Sequence, residues 1–286
     1  MNSRLCPADR GRIAALPLRR LRRHLPLAGE DCVGTCSFQP DSPPPRVYAP
    51  AMQAIRNIVI LTGAGTSAES GLATFRGPDG LWEGHRVEDV CTLEALARDP
   101  DLVLEFYDMR RRALADVRPN PAHEALARLD AEWPGELLIV TQNVDDLHER
   151  AGAKRLIHMH GELLSALCRA CGARSHFEGA MRDRPLCPAC GGSGGLRPDI
   201  VFFGEIPYRM DEIEAALQQA DLFVSIGTSG AVYPAAGFVQ LARAAGADTL
   251  ELNLEPSAGT ALFAESEFGA ASVLVPAWVE SLLAGH

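Results

Sequence analysis

Lysine is almost absent from this chain: Lys154 is the single one among 286 residues. Aromatic residues are scarce at 6%. No run of about 18 or more apolar residues occurs, which excludes an ordinary membrane-spanning helix. There is no excess of positive charge either. The formal net charge is −10, which argues against generic nucleic-acid binding, where a basic face is needed. The arginine-rich opening of the chain lacks the apolar core of a secretory signal.

What is present fits a folded domain. A 47% hydrophobic content with 22% charged residues is ordinary for a globular chain, and 286 residues bury a substantial core. The first fifty residues differ from the rest. They hold eight arginines against four acids and the run Pro43-Pro44-Pro45, with no sustained apolar period. Residues 1–51 are therefore expected to be a disordered tail, or an over-extended reading frame with Met52 as the natural start. Residues 52–286 are expected to form the functional domain. With no interface signal the expected state is a monomer.

Eight cysteines resemble a disulfide count but are not spaced as one. Cys168, Cys171, Cys187 and Cys190 form two Cys-x-x-Cys pairs fifteen residues apart. Each pair brings two thiolates onto one ion, and two pairs close a tetrahedral Zn²⁺ site. Four protein ligands leave no open position, so the expected zinc is structural. A chain with a good core has no need of disulfides, and a reducing cytoplasm is the expected location.

Short apolar runs at Asn57–Thr62, Leu137–Val140, Asp221–Ile226 and Thr249–Leu254 suit strands buried on both faces. Helical patterns lie between them. Thr92 caps one, Asp101 another that runs to about Val117, and Pro121 opens a third. The alternation predicts an α/β fold: a Rossmann-like doubly wound parallel sheet. The Cys- and Gly-rich segment from about Gly161 to Leu196 breaks the rhythm and is expected to be a smaller zinc-binding domain.

The first strand runs directly into Gly63-Ala64-Gly65-Thr66-Ser67-Ala68-Glu69-Ser70-Gly71. Glycines there let backbone N–H groups approach a pyrophosphate, beside the positive end of the next helix. The layout is not that of a hydride-transfer enzyme. The third glycine comes late, and no acid closes a second strand; Glu83 and Glu88 fall in expected loop.

Continued through Leu72-Ala73-Thr74-Phe75-Arg76, this segment resembles the signature of the sirtuins, the NAD-dependent deacylases. Further blocks occur in the family's order: Thr141-Gln142-Asn143-Val144-Asp145-Asp146-Leu147-His148, His160-Gly161, Phe203-Gly204-Glu205, Gly227-Thr228-Ser229 and Asn253-Leu254-Glu255. The resemblance spans about residues 55–285. It implies NAD as co-substrate, an acylated protein lysine as partner, and free lysine, nicotinamide and 2′-O-acyl-ADP-ribose as products. By the same resemblance His160 is the general base, a task suited to a group titrating near neutrality. Asn143 and Asp145 orient the reacting groups, and Gln142 contacts ribose. The cofactor set it implies further includes Gly63, Ala64, Gly65, Thr66, Ala68, Glu69, Thr74, Phe75, Arg76, Trp82, Val144, Gly227, Thr228, Ser229, Asn253, Leu254, Glu255 and Ala271. Asp146 and His148 are expected to cap and pack a helix, and His158 is given no role.

Tyr107 and Arg110 are three apart, hence on one helical face. Taken alone they also fit an ordinary solvated face, since Arg110-Arg111-Arg112 is a run of three. The Tyr-x-x-Arg pair nevertheless resembles the acidic-acyl pocket of the desuccinylase and demalonylase branch, as does the bacterial-like Gly84–Val90. Arginine beside a phenol grips a carboxylate, whereas acetyl offers it nothing. Cys91 stands where those relatives commonly have alanine, which narrows the pocket. Val201, Phe203 and Gly204 resemble the family's peptide-binding edge. The rival functions are mono-ADP-ribosyl transfer with the same cofactor and a non-catalytic NAD-sensing module.

Overall fold

The computed structural model describes residues 55–74 and 82–285. The expectations for residues 1–51, and for Phe75 and Arg76, lie outside these described residues.

In chain order the elements are β1 (Asn57–Thr62), α1 (Ala64–Ala68), α2 (Val87–Val90), α3 (Leu93–Arg98), α4 (Pro100–Ala113), α5 (Pro121–Glu132), β2 (Glu136–Thr141), α6 (Leu147–Ala151) and β3 (Leu156–His158). There follow β4 (Gly161–Cys168), β5 (Arg174–His176), β6 (Leu196–Ile200), α7 (Met210–Leu217), β7 (Leu222–Ile226), α8 (Phe238–Ala245), β8 (Asp248–Asn253), β9 (Glu265–Phe268) and α9 (Ala271–Ala284). None of the described helices is long and apolar enough to cross a membrane.

Six strands form one parallel sheet in the order β3-β2-β1-β7-β8-β9. Both faces are covered, as the unbroken apolar strands require. Ile58, Ile60, Ile139, Val224 and Leu252 pack toward α5 and α9 on one side. Val59, Leu61, Val140 and Phe223 pack toward α7 and α8 on the other. Each such side chain contributes about 1.5–3 kcal/mol on burial. The chain winds outward from β1 to β3 in one direction and from β7 to β9 in the other. The order therefore reverses between β1 and β7, and a crevice opens beyond their C-terminal ends.

The segment that broke the α/β rhythm is a second, antiparallel sheet, β5-β4-β6, carrying the four cysteines at its end. A third cluster joins it to α2, α3 and α4 through Val90, Leu104, Tyr107, Leu163 and Phe202.

Helix ends follow local chemistry. The Thr92 hydroxyl accepts the Ala95 N–H at 3.0 Å and starts α3, as expected. The next helix begins two residues earlier than Asp101: the Asp99 carboxylate accepts the Leu102 N–H at 3.0 Å, with Pro100 in the first turn. It also ends at Ala113, short of Val117. The Arg150 guanidinium takes the carbonyls of Leu114 at 3.0 Å and Val117 at 2.6 Å, which turns the chain out of the helix. Glu88, expected in loop, lies in the single turn of α2. Asp146 does not cap α6 with its side chain; Asp145 accepts the Leu147 N–H at 3.2 Å instead.

Candidate active site

Three turns meet in the crevice. The glycines after β1 serve close packing first: a Cβ on Gly63 would lie 2.7 Å from the Gly227 carbonyl oxygen, and one on Gly65 2.8 Å from the Gly227 Cα. Gly227 itself has φ +61°, and a Cβ there would meet the Thr66 nitrogen at 2.5 Å. The turns after β1 and β7 are thus locked together, with Gly63 N–H on the Ile226 carbonyl at 3.0 Å and Gly65 N–H on that of Gly227 at 2.9 Å. Thr66 is fully buried, its hydroxyl bonded to the Ile226 carbonyl, so it supports the turn and does not border the crevice.

The third turn follows β2. The Asn143 amide donates to the Gly63 carbonyl at 3.1 Å and to the Ser67 hydroxyl at 3.0 Å, while its N–H meets the Thr141 hydroxyl at 3.0 Å. Asp145 is 6% exposed, and burial pushes its carboxyl above the usual range against the pull of the Leu147 N–H and the Ser67 hydroxyl. His160 follows β3. Burial holds its imidazole below the usual histidine range, although the Gln142 backbone pulls it up.

These groups border one cavity of about 710 Å³. Gly63, Ala64, Gly65, Ala68 and Glu69 form one wall, with Thr74 and Trp82 beyond. Gln142, Asn143, Val144, Asp145 and His160 form the floor between the two sheets. Gly227, Thr228, Ser229, Asn253, Leu254, Glu255 and Ala271 close the far end. There the Asn253 amide donates to the Thr228 carbonyl at 2.7 Å. Glu69 accepts from the backbone and hydroxyl of Ser272, which lowers its carboxyl pKa and fastens α1 to the start of α9. Val201, Phe203 and Gly204 line the opposite lip.

The arginine run separates into three fates. Arg112 is exposed and pairs with Glu105 at 2.9 Å. Arg111 turns into the small domain. Arg110, its side chain only 10% exposed, borders the cavity with Cys91, and its Nε and one terminal nitrogen have no hydrogen-bond partner. It lies over the Trp82 ring at 4.3 Å. Tyr107 sits one layer deeper than expected, fully buried and stacked on Phe202 at 5.7 Å. Its hydroxyl has no partner of ordinary hydrogen-bond geometry and lies beside the Cys91 thiol, which burial pushes to a higher pKa. Three enclosed donor atoms, two on Arg110 and the Tyr107 hydroxyl, are costly without an acceptor.

The Sir2 family model matches residues 63–234. Over 233 residues the chain is 57% identical to a protein named NAD-dependent protein deacylase from Vibrio cholerae serotype O1, covering 81% of this chain and 95% of that one. The chain belongs to the Sir2 family. Among solved Sir2 structures, a Sir2 homolog–NAD complex superposes with a TM-score of 0.74 at 36% identity, covering 81% of this chain and 91% of that one. A Sir2–p53 peptide–NAD⁺ complex gives 0.70 at 29% identity, covering 80% and 94%.

As in the sequence reading of this Sir2 chain, the two Cys-x-x-Cys pairs converge. All four Sγ atoms lie within 4.8 Å of one another, the one such cluster among the described residues. The Sγ of Cys168 is 3.9 Å from that of Cys190, and that of Cys171 is 3.8 Å from that of Cys187. A tetrahedron with Zn–S bonds of about 2.3 Å has edges of about 3.8 Å. The cluster fits a structural zinc. The N–H groups of Cys171 and Ala170 hold the Cys168 thiol down to about 7. Against the Ala173 N–H, which pulls it down, the neighbouring thiols push Cys171 up to about 12.

Sequence reasoning missed the layer behind the floor. Ser67 joins Asn143 to the ring of His123, at 3.3 Å. His148 meets the Thr62 hydroxyl at 3.0 Å, and the two buried rings stand edge to face at 4.9 Å. His158, given no role, ties the Asn143 carbonyl at 3.0 Å to Glu149 at 2.6 Å. Nothing in a single sequence distinguishes these histidines from core packing; only their convergence on the Asn143 turn does.

Proposed function

We propose that this chain is an NAD-dependent protein-lysine deacylase that accepts succinyl and malonyl groups beside acetyl. The family and the cavity support the deacylase reading. A cavity of about 710 Å³ lies in the range of cofactor sites. The interlocked turns at Gly63 and Gly227 would carry the phosphates, and Asn253 with Glu255 the distant ribose. Bound NAD would supply an electrophilic ribose carbon and a nicotinamide leaving group, so that the acyl group ends on ADP-ribose.

The chain's own groups then divide the work. His160, held below its usual pKa, is neutral at pH 7 and ready to accept a proton. Asn143 and Asp145, fixed by Ser67 and the Leu147 N–H, orient what reaches the floor. Val201, Phe203 and Gly204, on the lip of the cavity, would meet the peptide that carries the acyl-lysine. The four cysteines would hold a zinc that shapes the small domain without entering the chemistry.

One observation carries the acyl preference: the enclosed Arg110, with donors unspent, on the cavity wall. A succinyl or malonyl carboxylate would complete it; an acetyl group would not. Arg110→Met is expected to cut kcat/KM for succinyl-lysine at least tenfold, about 1.4 kcal/mol, while sparing acetyl-lysine. Equal losses on both would refute the pocket. Mass spectrometry of the products separates O-acyl-ADP-ribose from ADP-ribosylated protein, the rival outcome.

A further inference from the structure

Arg110 already has one carboxylate for company, and it comes from the protein. The Glu83 Oε1 lies 3.8 Å from an Arg110 terminal nitrogen, too far for a hydrogen bond, so their interaction is coulombic alone. Glu83 is held there by a turn. Trp82 and His85 exchange backbone hydrogen bonds at 2.8 and 2.9 Å, and Glu83 between them takes a left-handed conformation, φ +49°. For a residue other than glycine that conformation is uncommon. Trp82 also supplies the ring beneath the guanidinium. The turn thus holds the Glu83 backbone next to the residue whose ring carries the guanidinium. The Glu83 side chain is 36% exposed against 10% for Arg110, and the nitrogen it faces, Nη1, is one of the two Arg110 donors without a hydrogen-bond partner, so Glu83 lies beside a donor that a ligand carboxylate would take.

The other charged neighbours do less. Arg111 and Arg112 are spent on Asp108 and Glu105. Asp145 also acts on Arg110, but less strongly. Glu83 is the larger carboxylate influence on the Arg110 charge.

We propose that Glu83 is a resident counter-ion that sets acyl selectivity. It balances Arg110 when a neutral acyl group fills the pocket, and it repels the carboxylate of an acidic one. This rests on the acidic-acyl reading of the pocket. Glu83 thereby widens the range of acyl groups at the expense of preference for any one: without it, an acetyl group would cover an uncompensated cation, and a succinyl group would meet the full charge.

The test uses the full chain, with succinyl-, malonyl- and acetyl-lysine forms of one peptide. Glu83→Gln is expected to lower KM for the two acidic substrates roughly threefold to fivefold, the size expected of a half-exposed charge pair. The affinity of the succinyl peptide in fluorescence polarisation should tighten alike, kcat should change little, and KM for the acetyl form should stay level or rise. The gain should shrink in about 1 M salt, and Glu83→Lys should enlarge it. Equal changes on acidic and neutral substrates, or a raised succinyl KM, overturn the proposal. Arg110→Met in parallel separates the two ideas. If it loses succinyl selectively while Glu83→Gln does not discriminate, only the counter-ion falls. If it affects both substrates alike, the acidic-acyl reading falls and the counter-ion with it.

Discussion

The Asp108 carboxylate and the Arg111 guanidinium meet at 2.6 Å in the interior, with side chains 1% and 2% exposed. Asp108 also accepts the N–H groups of Met181 and Arg182, each at 2.9 Å, and Arg111 donates to the carbonyls of Leu163 at 2.8 Å and Gly179 at 3.1 Å. This pair is where α4 grips the small domain. Helix α4 also presents Arg110, one residue away, to the cavity. The position of Arg110 on the cavity wall thus depends on a joint to the cysteine-bearing domain. Removing one partner leaves the other charge buried alone, a loss of about 3–5 kcal/mol. Asp108→Ala is therefore expected to lower Tm by roughly 10 °C, at about 2–4 °C per kcal/mol for a domain of this size. Thermal unfolding of the purified variant checks it; a fall of a degree or two would mean the joint is not the holding contact.

Zinc should act through the same route. The small domain contributes little apolar material of its own, with a three-strand sheet and a cysteine cluster half exposed. Metal binding would supply much of its folding energy. Cys187→Ser, or exhaustive chelation, is expected to abolish stoichiometric zinc, lower Tm and reduce turnover of every acyl substrate together, because α4 and the peptide lip lose their support. Metal analysis beside kinetics decides the matter: full activity and an unchanged melt after complete zinc removal would show the cluster to be dispensable.

Much of this was legible in the sequence because its physics is local. An apolar β-branched run such as Asn57–Thr62 reads as a strand buried on both faces, and fifteen residues between Cys-x-x-Cys pairs read as a metal knuckle. β3 and β9 were not legible: Leu156–His158 is three residues long, and Glu265–Phe268 is mostly polar and exposed at the sheet edge. They are strands because a neighbour pairs with them. The same holds at the site. The family resemblance placed Asn143 and His160 in one cleft, but the Ser67–His123 contact joins residues 56 apart and needs the fold to be seen. Nor does a run of three arginines show which one faces the cavity; burial of Arg111 and exposure of Arg112 leave Arg110 to do so.

The His123–His148 pair makes stability depend on pH. Both rings are fully buried, and desolvation holds His123 down to about 4 and His148 well below its usual range, with His123 adding to the effect on His148. In the unfolded chain they titrate near 6.5. Between about pH 6.5 and 4 the unfolded state binds more protons than the native one, so stability rises with pH there. It is fully present above 6.5 and is lost as pH falls toward 4, by about 3 kcal/mol for His123 alone. Tm measured across that range should drop steeply with acid, and His123→Gln with His148→Gln should flatten the slope even if both lower Tm at neutral pH. An unchanged slope in the double variant would assign the acid loss to other groups.

On the proposed acidic-acyl reading, Cys91 limits how much of the pocket an acyl chain can use. Its thiol borders the cavity, while the Tyr107 hydroxyl beside it does not. The thiol therefore stands between the cavity and a buried donor that has no partner of its own. Backbone bonds fix it there: the Cys91 N–H meets the Val87 carbonyl at 2.9 Å, and its carbonyl accepts the Phe203 N–H at 3.0 Å. Cys91→Ala removes one sulfur atom without moving this frame, at a stability cost of about 1 kcal/mol. The space gained opens the Tyr107 hydroxyl to the end of the acyl chain, so a carboxylate could take both donors at once. Succinyl, the longer chain, should gain more than malonyl, with kcat/KM rising roughly threefold and acetyl turnover unchanged. Competition between the two acidic peptides in one reaction reads the ratio directly. If that ratio does not move, the thiol does not screen the phenol. A buried thiol with a raised pKa is also a poor nucleophile. Alkylation of Cys91 in the folded wild-type enzyme should accordingly be slow at neutral pH, and a succinyl-bearing peptide in the pocket should slow it further.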